Sequence, residues 1–199
     1  RNGQSILDAG CGYGRHAIPL AKHGYHVTCL DASKSMLQAA KKRAEEAKVN
    51  TIDFRLVELQ TFSFKTKFDI IISMFTSLGY TANPDQEKSI LERLATSLKP
   101  EGVLLLDLKN PAWFDAPVFK KGGFKRGDQK HSYDAEKRIW TIRHVINGKE
   151  REARIYVFSK EGLEKRLTEL GFQEIRFFGD ITGGALKEDS LRMIVVASK

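Results

Sequence analysis

The sequence predicts an α/β fold: a doubly wound, mainly parallel seven-stranded sheet with an inserted antiparallel β-hairpin or sheet after strand five. Three observations carry this. Short apolar runs alternate with segments of helical periodicity over residues 1–110, and such alternation needs a parallel sheet covered on both faces. The alternation stops over residues 111–158, where Asn147-Gly148 separates two β-type runs, a strong hairpin signal. It resumes over residues 159–199 with one helical pattern and two further apolar runs. We expect one domain in three parts with these boundaries.

Strand one is Ser5–Ala9. The first helix spans Tyr13–His23, with Ala17, Leu20 and Ala21 on one face, and Pro19 should bend or shorten it. Strand two is Tyr25–Leu30. Ser33 reads as an N-cap, and Met36, Leu37, Ala40, Ala44 and Ala47 then recur at helical spacing as far as Lys48. Strands three and four are Ile52–Val57 and Phe68–Ser73. Asn83 is the next N-cap, with Pro84 at the first helical position and Gln86 completing a capping-box pattern. Ile90, Leu91, Leu94 and Leu98 form the buried face of that helix. Pro100 should stop it, and Val103–Leu108 reads as a fully buried strand.

In the insertion, Arg138–Ile146 and Glu152–Phe158 are the hairpin strands, and Ser132–Tyr133 reads as the end of another. Ser159 caps the last helix, with Leu163, Leu167 and Leu170 inward and Gly171 as its terminator. Gln173–Gly179 and Leu191–Ser198 complete the core sheet.

The segment Ile6-Leu7-Asp8-Ala9-Gly10-Cys11-Gly12-Tyr13-Gly14-Arg15 carries the most chemistry. An apolar strand ends in an acid, three glycines alternate with other residues, and a helix follows. Glycine tolerates positive φ and lets a ligand approach the backbone closely. The following helix offers free N–H groups at its N-terminus. Asp31 ends the second strand, where a carboxylate can accept hydrogen bonds from both ribose hydroxyls of a nucleoside cofactor. The dinucleotide fingerprint is G-x-G-x-x-G, whereas here the spacing is G-x-G-x-G and Arg15 stands where the third small residue belongs. Asp8 would oppose a pyrophosphate and suits an ammonium or sulfonium ligand.

The decapeptide, together with Gly24-Tyr25-His26-Val27-Thr28-Cys29-Leu30-Asp31-Ala32-Ser33, resembles the class I S-adenosylmethionine-dependent methyltransferases, in their small-molecule branch. Phe68-Asp69-Ile70-Ile71-Ile72-Ser73 resembles their fourth strand. Leu98-Lys99-Pro100-Glu101-Gly102-Val103-Leu104-Leu105-Leu106-Asp107 resembles the turn into their fifth, with Glu101 where the family usually has a second glycine. These signatures occur in the family's order and cover nearly the whole chain.

The resemblance implies S-adenosylmethionine as cofactor, S-adenosylhomocysteine as product, and no metal. It makes residues 1–110 the cofactor-binding core, 111–158 a substrate-covering β subdomain, and 159–199 the rest of the core sheet. Asp8, Gly10, Cys11, Gly12, Gly14 and Arg15 belong to the loop around the methionine portion. Asp31 should hold the ribose, with Ala32 and Met36 near the adenine. Glu58 and Leu59 should flank the adenine, although the family usually has Asp where Glu58 stands. Met74 and Phe75 should line the sulfonium, and Thr76 the substrate entrance. The family normally carries a segment before strand one, whereas here the chain starts at Arg1. A fragment or a naturally short chain, with a more open site, is therefore expected.

Composition bounds the alternatives. The chain has 199 residues, a net charge of +8 and two cysteines, which suits one domain with a full core and two reduced thiols, Cys11 and Cys29. No run reaches the ~18 apolar residues needed to span a bilayer, and no signal peptide is visible. We expect a cytoplasmic protein without a membrane partner. The positive excess is densest at Lys120, Lys121, Lys125, Arg126 and Lys130. Nucleic acid is a possible partner there, less favoured than a solvated basic loop and a small-molecule substrate. The inserted sheet offers an edge through which a homodimer could form.

Methyl transfer is an in-line displacement, for which positioning alone can supply ~7–11 kcal/mol. A general base is needed only when the nucleophile arrives protonated, so no catalytic residue is assigned from sequence. Candidates facing the substrate are Thr76, Tyr80, His144, Arg154 and Tyr156, with His131 a further possible base. Arg154 and Tyr156 share a strand face by period two and suit an anionic or phenolic substrate. The favoured activity is transfer to an O or N atom of a small molecule. Competing readings are an RNA or protein methyltransferase, a non-catalytic cofactor-binding protein, and a nicotinamide dehydrogenase.

Overall fold

A computed structural model describes residues 3–115, 117–120 and 123–199, with only the backbone described at Val118 and Lys120. The elements in chain order are β1 (Ser5–Ala9), α1 (Ala17–Lys22), β2 (His26–Asp31), α2 (Lys34–Glu46), β3 (Asp53–Leu56), β4 (Phe68–Ser73), α3 (Pro84–Thr96) and β5 (Leu98–Lys109). There follow a short 3-10 turn at Pro111–Asp115, α4 (Pro117–Lys120), β6 (Phe124–Arg126), β7 (Gln129–Asp134), β8 (Ile139–Ile146), β9 (Lys149–Tyr156), α5 (Lys160–Glu169), β10 (Glu174–Phe178) and β11 (Arg192–Ser198).

The core sheet has the order β10-β11-β5-β4-β1-β2-β3. β1 to β5 run parallel, and β11 and β10 close one side in antiparallel pairs. This is the seven-stranded sheet expected from the sequence. Successive strand residues face opposite sides. Leu7 joins Ile90, Leu91 and Leu94 of α3 and Leu163 and Leu167 of α5. Its neighbour Ile6 joins Ala17 and Ala21 of α1 and Leu37 of α2. The sheet is therefore wound on both faces, and its parallel strands all end on the side where β1 meets the glycine loop.

Several elements differ from the expected ones, each for a local reason. α1 starts at Ala17 rather than Tyr13, because Gly12 and Gly14 adopt positive φ and a right-handed helix cannot include them. Pro19 then falls in the first turn, where its missing N–H is not needed. α3 ends at Thr96 with Ser97 as its C-cap, before Pro100 can act, and Leu98 pairs with Phe68 as the start of β5. Within the expected strand Val103–Leu108, Val103 and Leu105 are only half-buried, and Leu104, Leu106, Asp107 and Leu108 are buried. Met36 is exposed, so it is not part of the α2 core face. The serine caps at Ser33 and Ser159 each accept one helix N–H. The Asn83 side chain accepts from Asp85 and Gln86.

The insertion is a four-stranded antiparallel sheet, β6-β7-β8-β9. Its last hairpin is tighter than expected: Ile146 pairs with Lys149 directly across Asn147-Gly148, both at positive φ. β9 ends at Tyr156, and Val157 and Phe158 turn inward as buried residues. Trp113, Phe114, Phe119, Phe124, Tyr133 and Trp140 pack under this sheet. Of the basic cluster expected from the sequence, Lys121 and the Lys120 side chain lie outside the described residues; Lys125, Arg126 and Lys130 are exposed. No described helix is long and apolar enough to cross a membrane.

Truncating a fully buried side chain should cost more than removing a cap. Leu94→Ala should lower unfolding stability by roughly 2–5 kcal/mol, and Asn83→Ala by about 1 kcal/mol. Equilibrium denaturant unfolding of the two variants checks that order.

Candidate active site

At the carboxyl ends of the strands lies a cleft of about 670 Å³. One side is the turn leaving β1. Gly10 has φ +85°, and a Cβ there would sit 2.5 Å from Ser77 Cβ and Oγ. Ser77 donates its hydroxyl to the carbonyls of Gly10 and Met74, so the β1 and β4 turns are pinned to each other. Gly12 has φ +55° and no atom within 4 Å of a built Cβ. It presents bare backbone to the cleft, which is what a closely approaching ligand needs.

Asp31 locks this turn. One carboxylate oxygen accepts from the Gly12 N–H at 2.8 Å, and the other accepts from the Ser33 N–H at 2.8 Å. A carboxylate has about four acceptor positions, so each oxygen keeps capacity for a ligand hydroxyl. The same side chain can thus shape the loop and face the cleft.

Asp8 is 1 % exposed, and neither of its carboxyl oxygens has a hydrogen-bond partner among the described residues. Burial, reinforced by the Asp31 charge, pushes its pKa up to about 7. The Arg15 charge and the Ala17 N–H, which lies outside hydrogen-bond geometry, pull the other way but do not offset this. A buried, unpartnered carboxyl beside a glycine turn is costly for a folded protein. A cationic ligand next to it would favour the ionised form.

The opposite wall is the segment after β4. Phe75 and Thr76 both adopt positive φ, at 57° and 64°, which is strained for non-glycine residues. Asp107, at the end of β5, holds them there. Its carboxylate accepts from the Phe75 N–H at 3.0 Å and its carbonyl from the Thr76 N–H at 2.7 Å. Arg192 pairs with the buried Asp107 carboxylate. Phe75 is left exposed, with the Arg15 guanidinium 3.3 Å and that of Arg192 5.5 Å from its ring centroid. Further on, the fully buried Glu87 accepts from the Gly79 and Thr81 N–H groups and the Thr81 hydroxyl. Burial raises its pKa while those three donors oppose the shift.

Among the residues singled out from sequence, Gly10, Gly12, Asp31, Ala32 and Met36 line the cleft, as do Glu58, Leu59, Phe75 and Tyr80. Asp8, Cys11, Gly14, Arg15, Met74 and Thr76 are not part of this lining. Cys11 and Met74 pack into the α1–α2 side of the core, and Gly14 packs against Ala40 and Ile18. Arg154 and Tyr156 line a separate cleft of about 340 Å³ with Ala82, Pro84 and Arg138. His144 lies near the hairpin tip opposite Arg151. His131 is buried between the Phe124 and Trp140 rings. The structure therefore gathers the cofactor-side residues and Tyr80, and sets His144, Arg154 and Tyr156 apart from them.

Sequence reading passed over Ser33, Gln60, Ser77, Thr81 and Ile90, which also line the cleft. Ser33 had shown only its capping signal. It also passed over Glu87 and Arg192, whose partners are tertiary, and His16. His16 stands at the N-terminus of α1, its ring 6.3 Å from that of Phe75. Burial and the Arg15 charge lower its pKa, while Asp107 opposes them. The imidazole is therefore held in its neutral form more readily than an ordinary histidine. Among the described residues no cluster of three His, Cys, Asp or Glu side chains could hold a metal ion.

Residues 6–102 match the family described as methyltransferase domain. A Geobacillus sp. (strain WCH70) protein named "Putative methyltransferase GWCH70_2453" is 31% identical, over 98% of this chain and 84% of its own length. The chain belongs to the S-adenosylmethionine-dependent methyltransferases. The dTDP-3-amino-3,6-dideoxy-alpha-D-glucopyranose N,N-dimethyltransferase of Streptomyces fradiae is 28% identical, over 84% of this chain and 69% of its own. The solved structure of the CcbJ methyltransferase from Streptomyces caelestis superposes with a TM-score of 0.84 at 18% identity, over 98% of this chain and 83% of that one. This last likeness establishes the shared fold.

The methyltransferase carries a pH signature at Asp8. The unfolded chain releases this proton near 3.8 and the folded protein near 7. The stability contribution is therefore full below pH 3.8 and is lost as pH rises through 7. Asp8→Asn should raise the melting temperature of the ligand-free protein at pH 8, by roughly 2–4 °C per kcal/mol recovered, with little change at pH 4. Calorimetric melting across that range checks it.

Proposed function

We propose that this methyltransferase moves a methyl group from S-adenosylmethionine to an O or N atom of a small molecule, releasing S-adenosylhomocysteine. The observation that carries the reading is the pairing of Asp31 with the bare Gly12 backbone on one side of a single cleft, with unpartnered Asp8 behind it. The naming of a 28% identical relative as a sugar N,N-dimethyltransferase supports a small acceptor.

The residues present fit the cofactor. Gly10 and Gly12 would receive the methionine portion, and the ionised Asp8 would balance its positive charge through the loop. Asp31 would take the ribose hydroxyls. Ala32, Met36, Glu58 and Leu59 line the same cleft and would take the base. When bound, the cofactor supplies a methyl already activated on a sulfonium, so the protein needs chiefly to align the acceptor.

Phe75 and Tyr80 form the mouth where an acceptor would enter, and the strained backbone at Phe75 sets the ring's position. The four-stranded insertion docks beside this mouth: the Tyr156 N–H donates to the Gly79 carbonyl at 2.8 Å. We assign it the role of covering the acceptor. His16, beside Phe75, is the group placed to take a proton from an acceptor that arrives protonated.

Two experiments test this reading. Asp31→Ala should weaken S-adenosylhomocysteine binding by about two orders of magnitude or more, since each hydrogen bond to a charged group contributes ~1.5–3 kcal/mol. Isothermal titration reads this, and unaltered affinity or a preference for NAD would overturn the reading. His16→Gln should lower kcat and remove the acidic limb of the pH–rate profile, which lies below the ordinary histidine range because the His16 pKa is lowered, leaving S-adenosylhomocysteine affinity unchanged. An intact acidic limb would take His16 out of the proton path.

A further inference from the structure

The acceptor side of Phe75 carries more positive charge than the fold itself uses. Arg15 and Arg192 both lie over the Phe75 ring. Lys109, the last residue of β5, sets its ammonium 4.4 Å from the Trp113 ring centroid and 5.2 Å from that of Trp140. The acid nearest this group is Asp107, and it is already engaged with Arg192 and the Phe75 N–H. Among the described residues neither Lys109 nor Arg15 makes an ion pair.

Lys109 is also poorly solvated. Burial lowers its pKa most, the Arg192 and Arg126 charges lower it further, and only Asp107 opposes them. Beside it, two buried polar side chains lack partners. The Trp140 indole N–H has none, and neither ring nitrogen of His131 has one. His131 stacks on Trp140 at 5.7 Å and feels the Lys109 and Arg126 charges. An uncompensated ammonium held against aromatic faces is relieved by a bound anion, because charge-assisted hydrogen bonds strengthen where water is excluded.

We propose that the acceptor of this methyltransferase is an anion, whose carboxylate or phosphate group is bound by Lys109 beside Trp113 and Trp140. This rests on the methyltransferase reading above. It makes Lys109 a specificity-determining residue, with Arg192 and Arg15 steering the anion towards Phe75 and the reacting centre. The acceptor's O or N atom then lies on the far side of the anionic group from Lys109, facing the cofactor cleft.

The chain has two tryptophans, Trp113 and Trp140, and both flank Lys109, so intrinsic fluorescence reports on this site directly. The protein, saturated with S-adenosylhomocysteine, is titrated with benzoate, phenyl phosphate and the neutral benzamide. A saturable fluorescence change with an anion and none with benzamide is expected, and the stronger response tells carboxylate from phosphate. Lys109→Met should weaken that anion about tenfold or more, and Lys109→Arg should restore most of it. S-adenosylhomocysteine affinity, measured on the same variants, should not change, which also certifies their folding. An equal response to benzamide, no saturable response to either anion, or unchanged anion affinity in Lys109→Met overturns the proposal. Loss of S-adenosylhomocysteine binding in the unmodified protein would instead overturn the methyltransferase reading itself.

Discussion

The turn out of β1 is the constraint on which the rest of the site depends. Gly10 must leave the strand at positive φ, and a Cβ there would come within 2.5 Å of the Ser77 side chain. Gly12 must then expose its N–H to the Asp31 carboxylate at 2.8 Å. One hydrogen bond thus ties the end of β1 to the end of β2, and Ser77 ties it to the segment after β4. Three strand ends are brought to one mouth without any covalent link. The same geometry shortens α1, because a helix cannot form until the glycines have been passed.

Around that turn the protein keeps charged groups that fold stability alone does not favour. Asp8 is buried with no partner, and its raised pKa records that cost. Lys109 and Arg15 make no described ion pair. By contrast, Asp107 and Glu87 are buried acids with full sets of donors. The two satisfied acids hold backbone in place. An uncompensated buried charge is the arrangement that a complementary ligand relieves.

The segment after β4 joins the cleft to the inserted sheet. Its strained residues Phe75 and Thr76 are held by Asp107, and its later part by Glu87. Through Gly79 it also receives the inserted sheet. The aromatic underside of the insertion, which includes Trp113 and Trp140, meets the end of β5 through Lys109.

Elements whose signals are local were legible in the sequence. β1 and β4 match the sequence reading to the residue, and the Ser33, Asn83 and Ser159 caps and the Asn147-Gly148 turn followed from periodicity and side-chain chemistry. So did the glycine turn and Asp31, because backbone conformation at glycine and the end of an apolar strand are written in adjacent residues. What only the tertiary structure decided depends on groups far apart in the chain. Arg192 meets Asp107 across 85 positions, and no local pattern announces that pair. Met36 carries core-like spacing yet lines the cleft, since the neighbouring strand ends leave that face of α2 uncovered. Arg154 and Tyr156 do share the face that period two assigns them, but the docking of the sheet on Gly79 turns that face to a different cleft. Periodicity says which residues lie on one side of an element. Only packing determines what that side is turned towards, and the charges at this mouth acquire their meaning from that orientation.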